Sequence, residues 1–455
     1  GELLYSDGNV DGSMTTLSEY DDVRIVWTDL NGVARGITLP GERAAHACEE
    51  GVGFANGVAE LTLEPGLLDA PRYGAEGGDM LAIPDPDSAR PVAWADDTAA
   101  VFADLTTVDG GRFDLCARSA LRGVLDDLES EGYRAMAGVE TEFSVLSPDG
   151  DDGWEPYNDR CSYDLSAVDA ASDLIGDWTD AMAAAGHEVL GVHQESQPGQ
   201  YEVNLAYDDA LTTADGVCFF RHMLTSVTRR HGHKASLMPR PHTGEDANGL
   251  HFHLSLWDPD GSENVFRSDD DDIRFPAGKH PPGAGLSETG RHFVGGLLDH
   301  MQALTAICAP TVNSYKRLLP GIWAPVNVAW GPDNRSTVLR LPPELGSATR
   351  IEHRVPDSAC NPYLGLAASL AAGLDGIRNE TDPGAPTTKN AYEESYDRLP
   401  RTLWAALDHL EADDVLTEAL GPALVESFVR LKRDEFDRSM DQVSAWEREE
   451  YLDEF

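Results

Sequence analysis

The chain has 455 residues, a hydrophobic content of 41%, and 34 Lys and Arg against 80 Asp and Glu, for a formal net charge of −46. That apolar share supports a large core and excludes wholesale disorder, and the length accommodates about two or three domains. So acidic a surface disfavours nucleic acid and anionic membranes as partners, and no apolar run reaches the ~18–20 residues of a membrane span.

Only five of the basic residues are Lys, and acidic clusters such as Asp269-Asp270-Asp271-Asp272 recur along the whole length. Acids spread in this way read as a solvated surface adapted to high salt. At molar salt the Debye length falls to roughly 3 Å and self-repulsion is screened, so a halophilic source and salt-dependent stability are expected. The alternative is an acidic interaction surface. Six cysteines (Cys48, Cys116, Cys161, Cys218, Cys308, Cys360) lie far apart without a CxxC pair, which predicts reduced, structural thiols in a cytoplasmic protein.

The opening stretch, residues 1–20, is polar, starts on Gly as a trimmed chain would, and lacks the basic and apolar regions of a signal peptide. A poorly ordered start is expected there. From Val23, VRIVWTDLNGVARGITLP predicts two strands around an Asn31-Gly32 turn. Gly/Pro-rich turns and a strand at 99–105 follow, which suggests a small β-rich unit over 21–110. A helix over 116–131 carries Leu121, Val124, Leu125 and Leu128 on one face. Beyond it, over 111–455, strands mix with helices at 171–187, 210–231, 287–307 and 362–378, and the last 60 residues read as helical. Regular βαβ alternation is missing, so the fold class is α+β.

Four short segments alternate strictly, so that residues two apart share a face. These faces carry Glu140 and Glu142; Gln200, Glu202 and Asn204; His251, His253 and Ser255; and Arg350, Glu352 and Arg354. Apolar side chains such as Val139, Phe143, Val203, Phe252 and Ile351 occupy the opposite faces. Glu195 adds a further carboxylate. Two readings stand: a sheet with one solvated face, or a divalent-metal and phosphate site. Hard Mg²⁺ or Mn²⁺ prefers carboxylate oxygen with an occasional imidazole, and arginines then neutralise a transferring phosphoryl group. No P-loop, no GxGxxG and no HExxH is present.

In this order VETEF (139–143), HQESQPGQYE (193–202), HGHKASLMPRP (231–241), NGLHFHLS (248–255), NSYKRLLPG (313–321), NRSTVLRLP (334–342) and RIEHRVPDSACNPYLG (350–365) resemble the glutamine synthetase family, over about 23–455. The resemblance implies a small N-terminal β-grasp domain and a large catalytic domain with a curved antiparallel sheet flanked by helices. It also implies homo-oligomers, commonly dodecamers of two six-membered rings, with each site between neighbouring subunits. ATP phosphorylates the γ-carboxylate of glutamate, and an amine displaces phosphate. Carried over residue by residue, Glu142, Glu195 and Glu202 match ligands of one Mg²⁺ or Mn²⁺, and Glu140, His251 and Glu352 those of a second. Arg317 and Arg354 match positions holding glutamate carboxylates. Arg335 and Arg340 match those facing the phosphates and the transferring group. His253, Ser255 and Arg350 match the nucleotide end.

Three departures from the ammonia-using enzymes stand out. The N-terminal loop that supplies an Asp to the ammonium site reads Phe54-Ala55-Asn56-Gly57-Val58, without a carboxylate. The flap reads Pro320-Gly321-Ile322-Trp323-Ala324-Pro325, with Trp323 where a Glu is usual. Asp246-Ala247-Asn248-Gly249 replaces the usual Asn-Gly-Ser-Gly that holds the glutamate α-amino group. The pattern is most similar to the γ-glutamylpolyamine synthetase branch, which predicts ligation of glutamate to a polyamine such as putrescine. Ligation to ethanolamine or methylamine, an ammonia-using enzyme, and a non-catalytic ring-forming paralogue are the alternatives. Tyr392 sits roughly where some bacterial members carry an adenylylated Tyr, in a looser motif.

Overall fold

The computed structural model describes residues 17–64, 66–149, 153–268 and 285–455. Most of the polar opening stretch and the Asp269–Asp272 cluster lie outside the described residues.

The N-terminal sheet begins with the expected hairpin, Asp22–Thr28 against Ala34–Pro40. Val23, Ile25 and Trp27 alternate inward and are buried, as a strand with one covered face requires. The connection differs from a two-residue Asn-Gly turn. Gly32 N–H donates to Asp29 O at 2.9 Å and Asp29 N–H to Val33 O at 3.1 Å, so Leu30-Asn31-Gly32 form a three-residue loop with Gly32 at φ +76°. Asn31 remains in ordinary backbone space because its side chain is engaged by Leu61 O and Lys432 Nζ. The helix Gly41–Glu50 follows, and Thr98–Thr107 then runs parallel beside the first strand, which is the β-grasp arrangement.

A buried guanidinium joins this sheet to the rest. Arg118, on the helix Ala117–Ser130, bonds Asp104, Asp85 and both oxygens of Asp215 at 2.8–2.9 Å. Asp215 belongs to the long helix Ala210–Arg230 and also accepts from the Tyr363 hydroxyl.

The second sheet has ten strands, and its main path runs Trp330–Pro332, Leu339–Leu341, Ile351–His353, Leu250–Trp257, Arg134–Asp149, Gln200–Leu205, Val189–Gln194. Its pairs are antiparallel except the first, which is parallel, a departure from the all-antiparallel expectation. The apolar face packs on helices: Phe143 meets Trp178 and Phe220, and Pro362–Arg378 is buried along nearly its whole length. The expected 287–307 helix is two helices, Glu288–Asp299 and Met301–Cys308. They part at His300, whose ring bridges Asp413 at 2.7 Å and Asp375 at 3.2 Å. All six cysteines are free thiols. Among the described residues no helix is long and apolar enough to cross a membrane.

Candidate active site

Strand register brings the polar faces together. Glu202 lies opposite Glu142, Asn204 opposite Glu140, His251 opposite Glu140, His253 opposite Glu352, and Glu352 opposite Arg340. This face is not a solvated one: Glu352 is fully buried, and Glu202 and His251 are each 6% exposed. Directly opposed carboxylates are unfavourable in a sheet unless a cation offsets them. The bland reading of a sheet with a wet face therefore fails.

Two tight donor groups result. In the first, Glu140, His253 and Glu352 each place a ligand-type atom within 4.8 Å of the others. Glu140 Oε1 is 3.0 Å from His253 Nε2, and His251 Nδ1 is 3.2 Å from Glu140 Oε2 and 3.7 Å from Glu352 Oε1. In the second group His193 joins Glu195 and Glu202, at 2.9 and 3.7 Å. Glu142 stands beside both, 3.9 Å from His251 Nε2 and held by Gly249 N–H at 2.7 Å. Sequence reasoning passed over His193, although it lies two residues before Glu195 and so on the same strand face. Tyr163 was also missed; its ring stacks on His193 at 4.8 Å, and Ser162 and Tyr163 both have positive φ.

The electrostatics show a site short of positive charge. Burial first, then the neighbouring charges of Glu140, Glu142 and Glu195, pushes Glu202 well above the usual carboxylate range. Burial also raises Glu142. Burial works the same way on Glu140 and Glu352, but it is outweighed there. Hydrogen bonds from His251 and His253 hold Glu140 low, and Arg354, His253, His251 and Arg340 hold Glu352 low. A donor set of carboxylate oxygens with imidazoles and excess negative charge fits a hard divalent cation.

Arginines frame the far side. Glu352 is clamped by Arg340 Nη1 at 2.7 Å and Arg354 Nη1 at 2.5 Å. Arg317 is buried and donates to the carbonyls of Val355 and Arg354 at 2.7 and 2.9 Å. At Gly249 a Cβ would meet His251 Nε2 at 2.7 Å and Arg317 Nη2 at 3.0 Å, so any larger residue would displace these two site side chains. Arg350 donates to His253 Nδ1 at 3.1 Å, and Ser255 accepts from Trp257 at 3.1 Å. Asp246 lies half-buried in the loop before Gly249. Arg335 and Trp323 line a cleft of about 480 Å³ with Asp333, Asn334 and Lys389. Trp323 is 66% exposed at φ +59°, a conformation that costs energy outside glycine.

The flap carrying Trp323 is tied down from behind. Tyr392 Oη donates to Ala324 O at 2.9 Å, and Arg354 Nη2 donates to Trp323 O at 3.3 Å. The Tyr392 hydroxyl is thus turned into the protein. Tyr392→Phe is expected to lower stability by about 1 kcal/mol, the net value of one such hydrogen bond, read as a small drop in the thermal midpoint.

Residues 114–451 match the family model described as "Glutamine synthetase, catalytic domain". The chain belongs to the glutamine synthetase family. It is 37% identical over 449 residues to a protein named glutamine synthetase from Halobacterium salinarum, covering 96% of this chain and 94% of that one. The glutamine synthetase of Pyrococcus abyssi is 36% identical, covering 94% and 96%. Among solved structures, one described as "GmaS/ADP complex-Conformation 1" superposes with a TM-score of 0.85 at 36% identity over 96% of this chain and 97% of that one. A "novel glutamine synthase homolog" gives 0.80 at 30% identity, over 93% and 96%. The chain is therefore an ATP-dependent carbon–nitrogen ligase of the glutamine synthetase type, a family that uses ATP, a divalent metal, glutamate, and ammonia or an amine.

Proposed function

We propose that this ligase joins glutamate to an organic amine, most plainly a polyamine such as putrescine, through a γ-glutamyl phosphate. The observation that carries the reading is the flap, joined by the N-terminal loop that the family resemblance places at a neighbouring subunit's amine site. Asn56, in the N-terminal loop, donates to Gly77 O at 2.6 Å and offers no charge for an ammonium ion. The flap presents the exposed indole of Trp323 instead of a carboxylate. An indole face packs an alkyl chain and attracts a cation, by about 0.5–2 kcal/mol.

In this reading Arg317 and Arg354 orient the carboxylates of glutamate, bidentate geometry that guanidinium suits. Arg340 and Arg335 face the phosphoryl group in transit, with His253, Ser255 and Arg350 at the nucleotide end. Glu140, His251, His253 and Glu352, and Glu142, Glu195, Glu202 and His193, would hold Mg²⁺ or Mn²⁺, which would supply charge neutralisation at the phosphates. The amine attacks the acyl carbon, and phosphate leaves. Residues 21–110 and 111–455 would form the two domains, which their separate sheets support. The assembly carried over is a ring or double ring of this chain, consistent with Ile37, Leu63 and Leu67 exposed on the N-terminal unit. The −46 charge supports a salt-adapted setting, and six free thiols support a reducing, cytoplasmic one.

The test is phosphate release from ATP with glutamate and Mg²⁺ or Mn²⁺ in molar KCl, comparing putrescine, ethanolamine, methylamine and ammonium. One charge-assisted contact is worth about 1.5–3 kcal/mol, so losing the ammonium-site carboxylates predicts turnover with an organic amine about ten- to a hundredfold above ammonium. Preference for ammonium would overturn the reading, in line with the names of the relatives. Preference for ethanolamine or methylamine would keep the reaction and replace the polyamine.

A further inference from the structure

Asp333 is a residue that neither the sequence motifs nor the family match assigns, and its surroundings are unusual in three ways. It is a non-glycine residue at φ +44°, the sparsely populated left-handed region in which strain marks functional positions. It directly follows the Trp330–Pro332 strand, which pairs parallel with Leu339–Leu341, and its N–H donates to Leu341 O at 2.8 Å. The next residues clamp the turn: Asn334 donates to Thr387 O and Lys389 O at 3.1 and 2.8 Å and accepts from Ser336. The turn is thus fixed independently of the Asp333 side chain.

That side chain grips Arg340. Asp333 Oδ1 accepts from Arg340 Nη2 at 2.6 Å and from Nε at 3.2 Å, and Arg340 Nη1 reaches Glu352 Oε2 at 2.7 Å. Three of the five guanidinium N–H bonds are thereby committed to carboxylates on two different strands or turns, which leaves two free and fixes the plane in which they lie. Arg340 is on a three-residue strand and would otherwise retain the rotamer freedom of a long side chain. Asp333 lines a cleft with Trp323 and Arg335, and its grip on Arg340 extends from that cleft to the buried Glu352.

We infer that Asp333 is a positioning residue: it holds the Arg340 guanidinium at a fixed angle so that its remaining N–H groups meet the phosphoryl group as charge develops. This rests on the assignment of Arg340 to the phosphoryl group. The conformation is retained by Asp333→Asn, because Asn tolerates positive φ, while the charge-assisted pair is lost. Small misplacements of a charged group near the chemistry cost about ten- to a hundredfold.

The experiment is a double-mutant cycle of Asp333→Asn and Arg340→Gln, following glutamate- and amine-dependent phosphate release alongside thermal melting. The expected result is a kcat about tenfold lower for Asp333→Asn, with KM for glutamate and amine within about twofold, and no further loss when it is added to Arg340→Gln. Full kcat in Asp333→Asn, or a loss that adds to that of Arg340→Gln, overturns the inference. So does a fall in kcat that merely tracks a lower melting temperature. If Arg340→Gln alone leaves kcat intact, the assignment of Arg340 fails, which is a separate outcome from failure of the grip.

Discussion

Glu352→Ala is expected to remove turnover and to unsettle the fold together. The carboxylate is completely buried between Arg340 and Arg354. Arg340 keeps Asp333 as a partner, but Arg354 retains only Trp323 O at 3.3 Å, and its Nε already lacks a partner. Breaking a buried pair from one side costs about 3–5 kcal/mol because the opposite charge stays behind. That is a large part of a typical margin of about 5–15 kcal/mol. Activity should fall by at least about 10²–10³, the scale for removing a preorganised charge at the transition state. Urea midpoints read the first effect and phosphate release the second. Glu352→Gln separates them: it preserves volume and one hydrogen-bond acceptor, so it should recover part of the stability and none of the rate. A Glu352→Gln enzyme turning over at the wild-type rate would remove Glu352 from the chemistry.

The polar strand faces were legible because strand periodicity is local. Glu140 with Glu142, His251 with His253, and Glu352 between two arginines can be read two residues at a time. Which atoms approach each other depends on register between strands far apart in sequence, such as His253 opposite Glu352, and that is set by packing on the other face. Hence His193 was missed although it shares a face with Glu195. Asp333 was missed for a different reason: Pro-Asp-Asn signals only a turn, and nothing local tells that its carboxylate meets Arg340, seven residues on, across a parallel pairing. The hairpin shows the same limit. Asn31-Gly32 marked the place of the turn correctly, but Lys432, from the far end of the chain, engages the Asn side chain, and the loop has three residues.

Divalent metal should stabilise the protein strongly, and the metal-free protein should respond to mutation in a direction opposite to ordinary expectation. Glu202 and Glu142 have raised pKa values, chiefly through burial and, for Glu202, through Glu140, Glu142 and Glu195. The native state therefore binds protons more tightly at these positions than the unfolded chain does. Their contribution to stability is present below the unfolded value, near 4.5, and is lost as pH rises through the higher native value. Above those native values the site is strained by its own charge. Mn²⁺ or Mg²⁺ relieves that, and at about 100 times Kd adds about 2.7 kcal/mol, seen as a higher melting temperature. Because the metal must displace protons from Glu142 and Glu202, the increment should shrink at mildly acidic pH. Glu202→Gln should then raise the melting temperature of the metal-free protein increasingly as pH rises, and abolish most of the metal increment. Wild type with no metal-dependent shift at any pH, or a Glu202→Gln variant that melts lower without metal and still responds fully to it, would show that the clustered carboxylates are not held together for a cation. A stabilised but metal-blind Glu202→Gln would show that the site accepts a folding penalty in order to keep its charge available for the phosphates.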